Sequence, residues 1–150
     1  MGLLSLLFNN PAAFLLIAIP LMYAVIFHEL AHGYVAWRMG DPTAKQAGRL
    51  SLSPLRHLDP IGTLMLFLVG FGWAKPVPVN FGRIRDFRKG MILVSSAGII
   101  TNMILAFCSL FVYSLIPVSE SGIISSVLYI FAKINIILAA FNLIPIPPLD

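Results

Sequence analysis

Two histidines and a glutamate stand in the order His28-Glu29-Leu30-Ala31-His32. On a helix, residues four apart lie one turn from each other and share a face. Both imidazoles can then reach a single zinc ion, and Glu29, one step round, can take a proton from an attacking water. The chemistry of such a set is metal-assisted hydrolysis. The chain has only three His, so the pattern arises by accident on the order of once in a thousand such chains. The competing reading is polar residues packed inside a helix bundle. Two imidazoles and a carboxylate in an apolar run are expensive unless something satisfies them, and such residues mark function.

A catalytic zinc takes three protein ligands and keeps one position open. Asp41, Asp59 and Asp86 fall in polar, basic stretches, where solvation or pairing accounts for them. His57, between Arg56 and Asp59, reads as a surface side chain. Glu120 falls on the far side of the membrane in the topology below. Asp150 remains, and it returns to the near side. Zinc, one aspartate and one hydroxide sum to zero charge, which suits a low-dielectric site.

The approach to Asp150 begins at Asn142 and carries Pro145, Pro147 and Pro148. These prolines end a helix and force an extended path. Non-helical backbone at membrane depth belongs inside protein or along a water-filled cavity, and a hydrolase needs such a cavity. Asn142 is placed to donate a hydrogen bond to a developing oxyanion. An interhelical hydrogen bond would explain it too.

These residues must be positioned by membrane helices. Hydrophobic residues make up 59% of the 150 and charged residues 11%, against about 25% charged in soluble domains. Mean hydropathy is +0.92. Three segments reach the roughly 20 residues a bilayer needs: Ala12 to Trp37, with a kink expected at Pro20, then Met91 to Ile116, then Ile123 to Ile144. Ile61 to Trp73 is too short and reads as re-entrant or interfacial. Gly40-Asp41-Pro42 and the prolines at 54, 60, 76 and 78 mark residues 41–60 and 74–82 as non-helical. Lys75-Pro76-Val77-Pro78-Val79-Asn80 reads as a strand at a sheet edge.

Nine of the ten Lys and Arg residues lie between Arg38 and Lys89, on both sides of the short run. Basic loops favour the cytoplasm, so residues 38–90 are expected there. The first span then runs inward, the second outward and the third back, and the active site faces the cytoplasmic side of a multi-pass cell-membrane protein. The lipid bilayer is a partner, and no nucleic acid is expected. The apolar N-terminus has no basic region and is not a convincing secretory signal. Cys108 reads as a small buried hydrophobe, the small-residue stripe from Ser95 through Gly98, Asn102 and Ala106 as helix packing. No role is assigned to Lys133.

From about Phe14 to Asp150 the chain resembles the site-2 proteases, the intramembrane zinc metalloproteases. The histidine–glutamate motif and Asn142 through Asp150 carry the resemblance. Asp41-Pro42-Thr43-Ala44, Gly48-Arg49 and Lys75-Pro76-Val77 look like the compact bacterial branch. The resemblance implies one zinc per chain on His28, His32 and Asp150, with Glu29 as general base and Asn142 assisting the tetrahedral intermediate. It implies a mainly α membrane fold with three transmembrane helices, the re-entrant or interfacial segment and a small membrane-associated β-sheet. The substrate would be a membrane protein cut in or near a transmembrane segment, its unwound stretch added as a strand near Lys75–Asn80. Ile99 stands where many relatives have proline, and no PDZ-like insertion is visible. Family members continue with glycine after the aspartate, so residues 1–150 read as a catalytic core truncated at its C-terminal end. The rival class is a membrane protein that binds or transports zinc without proteolysis. Glu29 argues against it, since a carrier needs no general base beside its first ligand.

Overall fold

The computed structural model describes residues 3–69, 72–117 and 122–144. Among the described residues six helices follow one another: α1 (Leu3–Asn9), α2 (Pro11–Arg38), α3 (Thr43–Gln46), α4 (Pro60–Val69), α5 (Phe87–Ser114) and α6 (Ile123–Asn142). Single 3-10 turns occur at Pro54–Arg56 and Phe81–Arg83.

Local chemistry sets the helix starts. Asn10 caps α2 by accepting from Ala13 N at 3.1 Å, and Pro11 fills the first turn, where a missing N–H costs nothing. Asp59 caps α4 through Gly62 N at 2.7 Å. Asp86 caps α5 through Lys89 N at 3.1 Å. At the other end of α2 the chain turns through Gly40, whose φ of 110° suits a residue without a Cβ.

Helices α2, α5 and α6 are each long and apolar enough to cross a membrane. They pack on one another, while α1 lies against α2 and α4. Their facing surfaces are small: Ala24 and Ala36 on α2, Ala97 and Ala106 on α5, Ala132 and Ala139 on α6. Small residues let helices approach closely where no hydrophobic effect drives them together. The outward faces carry Ile104, Phe107, Phe111, Ile124 and Ile137, all exposed, and Cys108 is exposed too rather than buried as its apolar run suggested. That surface suits lipid. The three spans read from the sequence are therefore present. Pro20 lies within a continuous α2. The short run forms α4, whose 10 residues reach about 15 Å, half of a hydrocarbon core.

The small β-sheet is not there. Among the described residues there is no strand, only an isolated antiparallel bridge between Leu58 and Ala74. The reason lies in where the backbone groups of Lys75–Asn80 go. Pro76 and Pro78 have no N–H to give. Val77 N donates to Glu29 Oε2 at 2.8 Å, and Asn80 N to Asp41 Oδ2 at 2.6 Å. The carbonyls of Lys75 and Pro76 accept from Arg49 Nη2. Side chains satisfy the segment, and a ladder is not needed.

Asp41 is correspondingly not a solvated loop carboxylate. It is fully buried and also accepts from the Thr43 amide at 3.0 Å and from the Thr43 hydroxyl. Burial pushes its carboxyl up, but the bonds from the Thr43 side chain and the Asn80 and Thr43 amides, with the Arg83 charge, outweigh burial and hold it below the usual carboxylate value. This turn also gives residues 43–46 a helical conformation that the proline pattern did not suggest.

Candidate metal centre

His28 and His32 lie on the buried face of α2, where α2 meets α5 and α6. Their Nε2 atoms are 3.1 Å apart and their rings meet edge to face, with centroids 4.7 Å apart. Two nitrogens bound to one zinc at tetrahedral geometry lie about 3.3 Å apart. The pair is therefore set at the spacing of two ligands to one ion.

The outer nitrogens show which tautomer each ring takes. His32 Nδ1 is 2.6 Å from the Val94 carbonyl of α5. A carbonyl only accepts, so Nδ1 carries the proton and the neutral ring presents Nε2 as a ligand. His28 Nδ1 is 3.2 Å from the side-chain amide of Asn102, whose Oδ1 is buried with no partner among the described residues. With that amide turned end for end, Oδ1 accepts the Nδ1 proton and His28 too presents Nε2. The orphaned oxygen is what a metal-holding histidine requires of its neighbour.

Gly98 makes room for this arrangement. A Cβ there would lie 2.4 Å from His28 Cε1 and 2.6 Å from both ring nitrogens. Asn142, at the end of α6, donates to the Leu138 carbonyl at 3.0 Å and brings the same Nδ2 to 3.5 Å from His28 Nε2. Its side chain thus reaches the point on which the imidazoles converge. Glu29 is half-buried, with Oε2 held by Val77 N.

Of the residues singled out from the sequence, the structure brings together His28, His32 and Asn142, with Glu29 beside them. Asp150 lies outside the described residues, as does Glu120. Among the described residues no three His, Cys, Asp or Glu side chains gather as a metal site. The other excluded candidates are accounted for: Asp59 and Asp86 cap helices, and Asp41 ties down loops. His57 corrects its reading as a surface residue. It is 2% exposed, and its Nε2 donates to the Ser51 carbonyl at 2.7 Å. Sequence reasoning missed Asn102, Gly98 and the Val94 carbonyl. Asn102 carried a usable signal, since an amide in the middle of an apolar span demands a partner in the same way as Asn142 does.

Comparison with known proteins finds relatives of this chain. The chain is 42% identical over 141 residues to a Bacillus subtilis protein named "Putative zinc metalloprotease YwhC", a match that covers 89% of this chain and 64% of that one. It is 31% identical over 150 residues to the similarly named Rip2 of Mycobacterium tuberculosis, covering 87% of this chain and 57% of Rip2. Zinc metalloprotease MJ0392 of Methanocaldococcus jannaschii is 25% identical over 142 residues, covering 95% of this chain and 34% of that one. The chain thus spans less than two thirds of the length of each. No protein-family model and no solved structure matches it.

Proposed function

We propose, taking homology to these bacterial and archaeal zinc metalloproteases as the premise, that the chain is a zinc-dependent endopeptidase of the site-2 protease kind. It hydrolyses peptide bonds in or near transmembrane segments of membrane proteins. The observation that carries this reading is the pair of Nε2 atoms 3.1 Å apart inside a helix bundle, with Glu29 next in the chain.

His28 and His32 would hold the zinc, and Asp150 is proposed as the third ligand. The chemistry the ion supplies when bound is Lewis acidity, which polarises the scissile carbonyl and lowers the pKa of the attacking water towards about 7. Glu29 takes the proton of that water and hands it to the leaving amine. Asn142 donates to the oxygen that gains charge. The Val94 carbonyl and Asn102 keep the imidazoles in their ligand tautomers. A substrate helix hides its peptide bonds, so a local stretch must unwind. The unwound stretch is proposed to lie along Lys75–Asn80, whose Val77 amide is bonded to Glu29.

Two measurements test the reading. Membranes from cells with and without the active chain should differ in protein fragments, with new termini inside or within a few residues of transmembrane segments. Purified chain should carry zinc that 1,10-phenanthroline removes, and cleavage should stop with removal and return with zinc. A chain that holds zinc one to one and yields no such fragments is a carrier, and the protease reading falls.

The active site is proposed to face the cytoplasm. The basic residues support this, and Arg85 N donates to the Met39 carbonyl at 3.1 Å, which puts the start of α5 and the end of α2 at one end of the bundle. Lys45 and Arg85 are both exposed at that end. Single cysteines placed there in a Cys108→Ser background should both be labelled by an impermeant maleimide from the cytoplasmic side. Labelling from opposite sides would refute the topology.

A further inference from the structure

Val77 is the one residue between Lys75 and Val79 that has an amide hydrogen, since Pro76 and Pro78 flank it. That hydrogen is donated to Glu29 Oε2 at 2.8 Å. The oxygen of the same peptide group, on Pro76, accepts from Arg49 Nη2 at 3.2 Å, and Nη2 also donates to the Lys75 carbonyl. A single peptide plane therefore stands between a guanidinium and a carboxylate. Its positive N–H end meets Glu29 and its negative oxygen end meets Arg49, as the peptide dipole favours.

Arg49 is 8% exposed, and its charge is permanent. A buried charge needs a partner, yet among the described residues no carboxylate lies within ion-pair distance of it. The carboxylate of Glu29 is linked to it through the Pro76–Val77 peptide. The plane is also clamped at its ends. Lys75 N donates to the His57 carbonyl at 2.8 Å, and Asn80 N to Asp41 Oδ2 at 2.6 Å. Gly33 lets the segment lie against α2 one turn beyond Glu29, since a Cβ there would come within 2.7 Å of Val77 Cγ1.

We infer that Arg49 is a positioning residue for the general base, acting through the Pro76–Val77 peptide, which fixes Glu29 Oε2 and leaves Oε1 to receive the proton. The inference rests on the protease reading. Charge-assisted hydrogen bonds at both ends of one rigid plane are stronger than neutral ones and set direction. Among the described residues Oε1 has no hydrogen-bond partner, so the two carboxylate oxygens already differ in role.

The test uses purified chain with Arg49→Met, Arg49→Lys and Val77→Pro, beside Glu29→Gln. Val77→Pro removes the donated hydrogen but also exchanges a buried side chain that packs on Gly33, so Arg49→Met, which leaves Val77 in place, is the variant that isolates the bond. Arg49→Met and Val77→Pro should each lower kcat by about 10- to 100-fold, with KM and zinc content unchanged. The double variant should be no worse than either single one, and Arg49→Lys should recover part of the rate. Hydrogen exchange at the Val77 amide should quicken at least about tenfold in Arg49→Met. Full kcat in both single variants, losses that multiply in the double, or loss of zinc or of folding along with activity would each overturn the inference. Undiminished cleavage by Glu29→Gln would instead overturn the protease reading on which it stands.

Discussion

Glu29→Gln should leave zinc bound and lower cleavage at least about 100-fold, the scale on which a general base contributes. Glutamine keeps the size of the side chain and still offers a carbonyl oxygen to Val77 N, so the 2.8 Å bond survives. What is lost is the ability to take a proton. Glu29 is not on the converging face with His28 and His32, so the spacing of the ligands is untouched. The measurement pairs metal content with a cleavage rate on the same preparation. Bound zinc with an unchanged rate would show that proton transfer does not pass through Glu29. Lost zinc would show that the carboxylate serves the metal rather than the water.

Gly98→Ala should remove the metal with one methyl group. The added carbon would lie 2.4 to 2.6 Å from three atoms of the His28 ring, far inside contact distance. The ring has little room to retreat, because Asn102 and His32 hold its edges. Either His28 swings away from His32 or α5 moves off α2, and both break the 3.1 Å convergence. Zinc affinity should fall about 100-fold or more, the upper end of what disturbing a neighbour of a ligand costs. Helix propensity points the other way, since alanine favours a helix over glycine by about 1 kcal/mol. A variant that keeps its helical content and loses zinc therefore isolates the steric effect. Titration with zinc under competition from a chelator measures it. Wild-type affinity would show that the imidazole does not need the space above Gly98.

The parts of this site that were legible in the sequence were those set by spacing along one helix. His28 and His32 needed only a turn of α2 to meet, and hydropathy alone placed α2, α5 and α6. What stayed hidden was set by distance in the chain. The partner of His32 is a backbone carbonyl in α5, and a carbonyl has no identity in a sequence. Val77 gave no sign that its amide belonged to Glu29. The prolines that made Lys75–Asn80 look like a sheet edge left few amide hydrogens to pair, and those of Val77 and Asn80 go to side chains of Glu29 and Asp41 rather than to a neighbouring strand. His57 looked like a surface residue because its neighbours are charged, and only its bond to the Ser51 carbonyl shows why it turns inward.

The polar groups of α2 are satisfied by parts of the chain made much later. His32 waits for Val94, 62 residues on, His28 for Asn102, 74 residues on, and Glu29 for Val77, 48 residues on. A ribosome adds about 5 to 20 residues per second, so about 2 to 15 s pass between the emergence of these side chains and that of their partners. During that interval α2 is a hydrophobic segment whose carboxylate and two imidazoles have not yet met these partners. Lipid is a poor place for them. The helix that holds the two imidazoles thus gains its partners late, and its stable insertion should await the synthesis of α5.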